Sequence, residues 1–339
     1  MKNLIIILLI LGSGISTVLS QSIRTLSSGT KTSIRGLSVV DNNVAWVSGS
    51  NGWTSVTTDG GVNWKWKQIT GYDKYDFRDI EAFSGTDAIV VSAGSPAVIL
   101  VTNDGGLNWK EVYRNELPEI FLDGMDFLDN KNGIIYGDPI NGKMQLLRTE
   151  DGGRTWVDIS NNLNIKLIEG EASFAASGTG IRILNGGHVL IATGGAQSRL
   201  FVSKNLGISW KSYPCPIIQG KNSTGPFSIA FISAKRGLAV GGDYLSDTLS
   251  TNNMLLTKNG GRTWTHPESN PFGYKSAVEY INPEIVIATG TSGTDISKNG
   301  GKTWMKYSPE SYNAVRKAKT GSLVLLAGSG GKVAILEGL

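Results

Sequence analysis

Apolar residues in this chain come in short runs, not in a helical rhythm. "AIVVSAG" (88–94) and "AVILVT" (97–102) are β-branched and apolar almost throughout, the pattern of strands covered on both faces. Polar, glycine-rich punctuation separates such runs. One stretch shows the grammar in full: "RDIEAF", a turn, "AIVVSAG", a short loop, then "AVILVTNDGGLNWKEVY". That is four strands and three turns. No segment sustains the 3.6-residue period of an amphipathic helix. The expectation is an all-β chain of many short strands.

One turn recurs. Aligned on its tryptophan, the pattern S/T-x-D/N-x-G-x-x-W appears as six copies, ending at Trp64, Trp109, Trp156, Trp210, Trp264 and Trp304. The intervals are 45, 47, 54, 54 and 40 residues, the length of one four-stranded propeller blade. The phrase falls between the third and fourth strands of each unit. Its third residue (Asp59, Asp104, Asp151, Asn205, Asn259, Asn299) accepts hydrogen bonds from turn amides. The glycine supplies a backbone angle denied to other residues, and the tryptophan packs back from the outer strand. A neutral amide caps a turn but cannot act as a general base, so the Asn copies mark the repeat as structural.

A second punctuation counts the units independently. Glycine-rich turns follow the second strand at "SGSNG", "SAGSP", "YGDP", "ATGGA", "GGDY", "ATGTSG" and "AGSGG", seven in all. The last unit has three strands and no Asp/Trp turn, while "SIRTLSS" near the start offers a spare strand. Pairing the two ends predicts a seven-bladed β-propeller over residues 21–339, closed by its N- and C-terminal strands, with no open sheet edge.

The six turns are Asp-boxes, or BNR repeats, found in sialidases, other glycosidases and sortilin-type receptors. A longer series, "FRDIEAF", "FLDGMDFLDNKNGIIYGDPINGKMQLLRTEDGGRTW", "GEASFAASGTG", "GLAVGGDY" and "GYKSAV", resembles secreted bacterial relatives of the plant photosystem II stability/assembly factor family. The resemblance implies a non-enzymatic propeller scaffold, whose photosynthetic members hold a membrane protein during assembly.

Residues 1–20 place Lys2 ahead of an apolar run from Leu4 to Leu11, with Val18 and Ser20 at −3 and −1. This reads as a cleavable secretory signal too short to span a membrane, giving a secreted or periplasmic monomer with no membrane span after cleavage. Cys215 is the only cysteine, which excludes an internal disulfide and any thiolate metal cluster; it reads as a half-buried thiol. The formal charge of +4 is scattered along the chain, which argues against nucleic acid. No metal site is expected, since His188 falls at a turn and His266 at the outer edge, away from the rim, and no cofactor, since the glycine runs open no helix after a strand.

Strand alternation puts the starts of the first strands and the turns after the second strands on one face, opposite the Asp-boxes. That face is expected to carry Arg35, Arg78, Asp79, Asp123, Asp138, Glu171, Asp243, Tyr244 and Lys275 around the channel mouth. Arg35, Arg78 and Lys275 would attract an acidic partner, with the carboxylates patterning the surface. The favoured reading is a binding or assembly scaffold for an envelope or extracellular protein, with an acidic glycan as another ligand. The alternative is a glycan-cleaving enzyme, sialidase-like or using two carboxylates such as Asp123 and Asp138. Against the sialidase form, Glu279 and Tyr280 are adjacent in a strand and point to opposite sides.

Overall fold

The computed structural model describes residues 22–338; the signal expected over residues 1–20 lies outside them. The described residues form seven antiparallel sheets arranged as blades. Blade 1 comprises Ile34–Val39, Ala45–Gly49, Trp53–Thr57 and Lys65–Gln68. Blades 2 to 6 follow over residues 76–115, 122–158, 171–214, 224–257 and 277–308. Blade 7 takes Ala314–Lys317, Val324–Ala327 and Val333–Glu337, and its outer strand is Ser22–Ser27 from the other end of the chain. Ser22 stands opposite Glu337 and Thr25 opposite Ala334, and Arg24 bridges Glu337 at 2.7 Å. The expected closure is observed.

The core is divided among the seams between blades. Ile89, Ile99, Met125 and Phe127, for example, meet between blades 2 and 3. Each Asp-box tryptophan packs into the seam with the preceding blade: Trp64 against blade 7, Trp109 against blade 1, Trp156 against blade 2, and so on to Trp304. Second strands are thus sandwiched between neighbours, which is why "AIVVSA" is apolar on both sides. The boxes share one wiring. Asp151 Oδ1 accepts the Thr149 hydroxyl at 2.9 Å and the Thr155 amide at 2.9 Å, while Thr149 Oγ1 accepts the Gly153 amide. Gly153 sits at φ +80°, and a Cβ there would collide with Ile89 of blade 2.

Two blades depart from four regular strands. In blade 5 the outer strand shrinks to one bridge, Leu256 with Thr265. The next ladder bond would need an amide from Pro267, which has none. In blade 4 the inner strand is split into Glu171–Ala172 and Ile181–Leu184, both paired with His188–Gly195. The eight residues between them, 173–180, leave the sheet. Cys215 is fully buried rather than half-buried, in the seam between blades 4 and 5, and burial pushes its thiol up to about 12.

Candidate functional site at the channel mouth

The inner strands do not run straight into the mouth. In blade 1 the pairing passes from Ile34↔Gly49 to Gly36↔Ser48, leaving Arg35 as an extra residue. The same slip leaves Arg78 over in blade 2, Asp123 in blade 3 and Phe227 in blade 5. A bulge re-aims the side chain it carries, and here four bulges at equivalent places turn residues toward the channel. Gly36 beside Arg35 and Gly124 beside Asp123 are crowded by neighbouring backbone or side chains, so a larger residue could not take their place.

Residues 173–180 from blade 4 cross that mouth. Arg35 Nη1 donates to the Ala176 carbonyl at 3.2 Å and Arg78 Nη1 to the Ala175 carbonyl at 3.5 Å. The Ser177 hydroxyl donates to the Ser276 carbonyl of blade 6 at 2.8 Å. Thr179 meets the Ser228 hydroxyl of blade 5, and its carbonyl accepts the Ile229 amide at 2.9 Å. Gly178, at φ +68°, lies directly on the Asp79 carboxyl of blade 2. One loop thus touches blades on every side of the axis and plugs the channel. Apart from Phe174, the residues of "SFAASGTG" are small, which is what that space admits.

The expected rim residues separate into three groups. Arg35 and Arg78 do come together: the Arg78 charge, after burial, lowers the Arg35 pKa. Arg78 is held by Asp76 at 2.8 Å and stays about a third exposed. Asp79, Asp123 and Asp138 gather beneath them. Asp79 accepts the Ile80 amide at 2.9 Å and the Met125 amide at 2.8 Å, yet burial outweighs those bonds and raises it to about 8. Asp138 accepts the Ser173 amide and is raised by burial to about 6. Asp123 is wholly enclosed with neither oxygen partnered, and burial followed by the nearby Asp138 charge raises it well above the carboxylate range. Being sealed, Asp123 does not form with Asp138 an open pair facing a substrate cleft.

In the third group Lys275, Glu171 and Asp243 turn away, while Tyr244 stays at the surface. Lys275 is not an exposed rim cation: it is completely buried, paired with Asp295 at 2.7 Å and donating to the Gly293 carbonyl at 2.8 Å. Glu171 is likewise spent, bound by Arg199 at 2.6 Å and by the Thr193 hydroxyl at 2.6 Å. Asp243 is buried and caps the Leu245 amide. Tyr244 is 47% exposed. It stands edge-on to Phe227, which stacks on Phe174 of the plug at 3.8 Å and meets Tyr274 at 4.8 Å. Of this aromatic group only Tyr244 was expected at the mouth; Phe174, Phe227 and Tyr274, carried by "FAASG", "GPFS" and "GYKS", were not singled out. Glu279 and Tyr280 do diverge, into the channel and into the blade 5–6 seam.

Among the described residues no helix is long and apolar enough to cross a membrane, and no group of three or more His, Cys, Asp and Glu side chains could hold a metal ion. Residues 15–120 match the family model of the photosynthesis system II assembly factor YCF48. Among solved structures, the chain is similar to YCF48 bound to a D1 peptide, with TM-score 0.66 and 15% identity over 93% of this chain and 96% of that one. It is similar to YCF48 from Cyanidioschyzon merolae, with TM-score 0.64 and 17% identity over 93% and 98%. A GH74 xyloglucanase from Xanthomonas campestris gives TM-score 0.60 and 14% identity, over 93% of this chain and 53% of that one. No curated protein matches. At these identities the structural likeness is one of fold: the chain is an Asp-box propeller, and residues 15–120, under a third of it, carry the similarity to the YCF48 family model.

Proposed function

We propose that this chain is a non-enzymatic scaffold that holds a segment of a protein partner on the plugged face of the propeller. The observation that carries the reading is the pair of bulge arginines, Arg35 and Arg78, set beside the exposed Tyr244, whose ring is backed by the buried Phe227 and Tyr274. Each guanidinium gives one long bond to the plug and keeps other N–H groups for a ligand. Paired guanidiniums suit carboxylates, and an exposed aromatic ring suits an adjoining apolar side chain. An acidic and apolar polypeptide segment fits both. A peptide is also what the similar YCF48 structure carries. Under the same reading the first 20 residues are removed and the mature protein meets its partner in the periplasm or outside the cell.

The test starts from a pull-down with the mature protein out of the native envelope, followed by titration of the captured partner. Arg35→Ala with Arg78→Ala should leave folding nearly intact. At about 1.5 kcal/mol or more for each charge-assisted bond, binding should weaken by about a hundredfold, and wild-type binding should fall with salt. Val62→Ser, on an exposed Asp-box tip, is the control. Unchanged affinity in the arginine variant with loss in the control would move the site to the opposite face.

A further inference from the structure

The plug makes the channel blind, and its open end lies on the Asp-box face. There the inner strands end around a pit of about 270 Å³, room for roughly nine waters at about 30 Å³ each. Its walls are charged in both senses. Lys319 is bound to Glu81 and donates to the Ala82 carbonyl at 2.7 Å. Arg182 holds Glu279 at 3.0 Å and donates to the Ile229 carbonyl at 3.0 Å. Asp126 accepts the Ile183 and Phe127 amides. These groups satisfy one another.

Arg316 is different. Its side chain is only 14% exposed, and the one carboxylate near it, Glu279 Oε2 at 4.0 Å, is already taken by Arg182. Arg316 donates no hydrogen bond among the described residues, and its nitrogens are not sealed from water, so its fork faces the pit beyond the long Glu279 contact. Leu37 and Phe231 add apolar surface to the lining.

We propose that this pit is a binding site for a single carboxylate, gripped by the Arg316 guanidinium. The carboxylate belongs either to a small organic acid or to the free C-terminus of an inserted chain. A planar fork matches a carboxylate in two bonds, whereas a phosphate dianion would bring a second negative charge against Glu279 and Asp126. The pit is smaller than the usual drug-sized pocket of roughly 300 Å³ or more, which limits the ligand to a fragment or a chain end. The site is separate from the arginine pair on the plugged face, so either can fail alone.

The experiment is a calorimetric or ligand-observed NMR titration of the protein with N-acetylglycinate, N-acetyl-tetraglycine, its C-terminal amide, and inorganic phosphate. At least one carboxylate probe should bind in the millimolar range or tighter, with the amide and phosphate at least tenfold weaker. Binding of N-acetylglycinate alone identifies a small acid as the ligand; stronger binding of the tetrapeptide identifies a chain end. Arg316→Gln should weaken the carboxylate at least tenfold and Arg316→Lys less, with unchanged melting temperatures, and Arg35→Ala with Arg78→Ala should leave it unaltered. The proposal is overturned by equal binding of acid and amide, by preference for phosphate, by wild-type binding in a folded Arg316→Gln, or by no binding of either carboxylate.

Discussion

A single residue type meets opposite fates here, and hydrogen bonding against burial decides which. Asp104 lies in an Asp-box at the surface, where Asn108 donates through both its backbone and its side chain, and its carboxyl is held down at about 2. Asp123 is fully buried and accepts no hydrogen bond among the described residues, so burial holds its carboxyl far above that. Asp79, at about 8, sits beneath the same plug. Folded-state values above the unfolded ones mean that the native protein keeps protons which the unfolded chain, titrating near about 4, has already lost. Stability is therefore fullest below about pH 4 as far as these groups go, and is lost as pH rises toward 8, by up to about 1.4 kcal/mol per pH unit for each such proton. Asp123→Asn removes one of them while keeping the shape. Denaturant midpoints at pH 5 and pH 8 should converge in that variant relative to wild type; an undiminished gap would mean that Asp123 is not the protonated group.

At the scale of elements, the Asp-box is a fastener between blades. Its partner at the seventh position shows how Asp and Asn interchange. Thr155 donates its hydroxyl to Asp151, whereas Thr263 and Thr303 accept from the side-chain amides of Asn259 and Asn299. A hydroxyl can reverse its role, so Asp151→Asn should cost under about 0.5 kcal/mol, below the usual span of about 0.5–2 kcal/mol for a lost cap. Trp156 is the other end of the fastener, edge-on to Phe127 at 6.1 Å in the blade 2–3 seam and donating to the Gly153 carbonyl. Trp156→Ala should cost about 3–5 kcal/mol, read by denaturant unfolding; similar losses for the two variants would refute this division of labour. Box and glycine turn were legible because each marks a chain reversal with its own residue chemistry. The bulges were not. One added residue reverses which way a side chain points without altering composition, so Arg35, Arg78 and Asp123 could be placed at strand starts but not aimed. Nor could Lys275 be told from an exposed cation, because Asp295 joins it only through the fold.

At the scale of the whole molecule, blade number and ring closure were readable from the sequence, because counting turns needs no knowledge of contacts. The plug escaped because the segment 173–180 has the look of an ordinary small-residue loop until five other blades surround it. Closure by the two chain ends has a consequence that no single blade has. Val333–Glu337 lies between Val324–Ala327 and Ser22–Ser27, so removing it strips both neighbours of a partner at once. Val333, Ala334 and Leu336 are buried there, and the two larger chains contribute about 1.5–3 kcal/mol each. Leu336 also belongs to the seam with blade 6, the one seam between consecutive blades that no Asp-box tryptophan fills, and Val333 to the seam with blade 1. Both seams open together, and two strand edges are exposed to association. Deleting Val333 to Leu339 should therefore lower the melting temperature by far more than Arg24→Ala, which removes only the exposed Arg24–Glu337 pair and about 0–1 kcal/mol. The truncated chain should also associate at concentrations where the full chain does not, as read by light scattering. A truncated protein that melts with the full-length one, or loses no more than Arg24→Ala, would show that the ring holds without its closing strand.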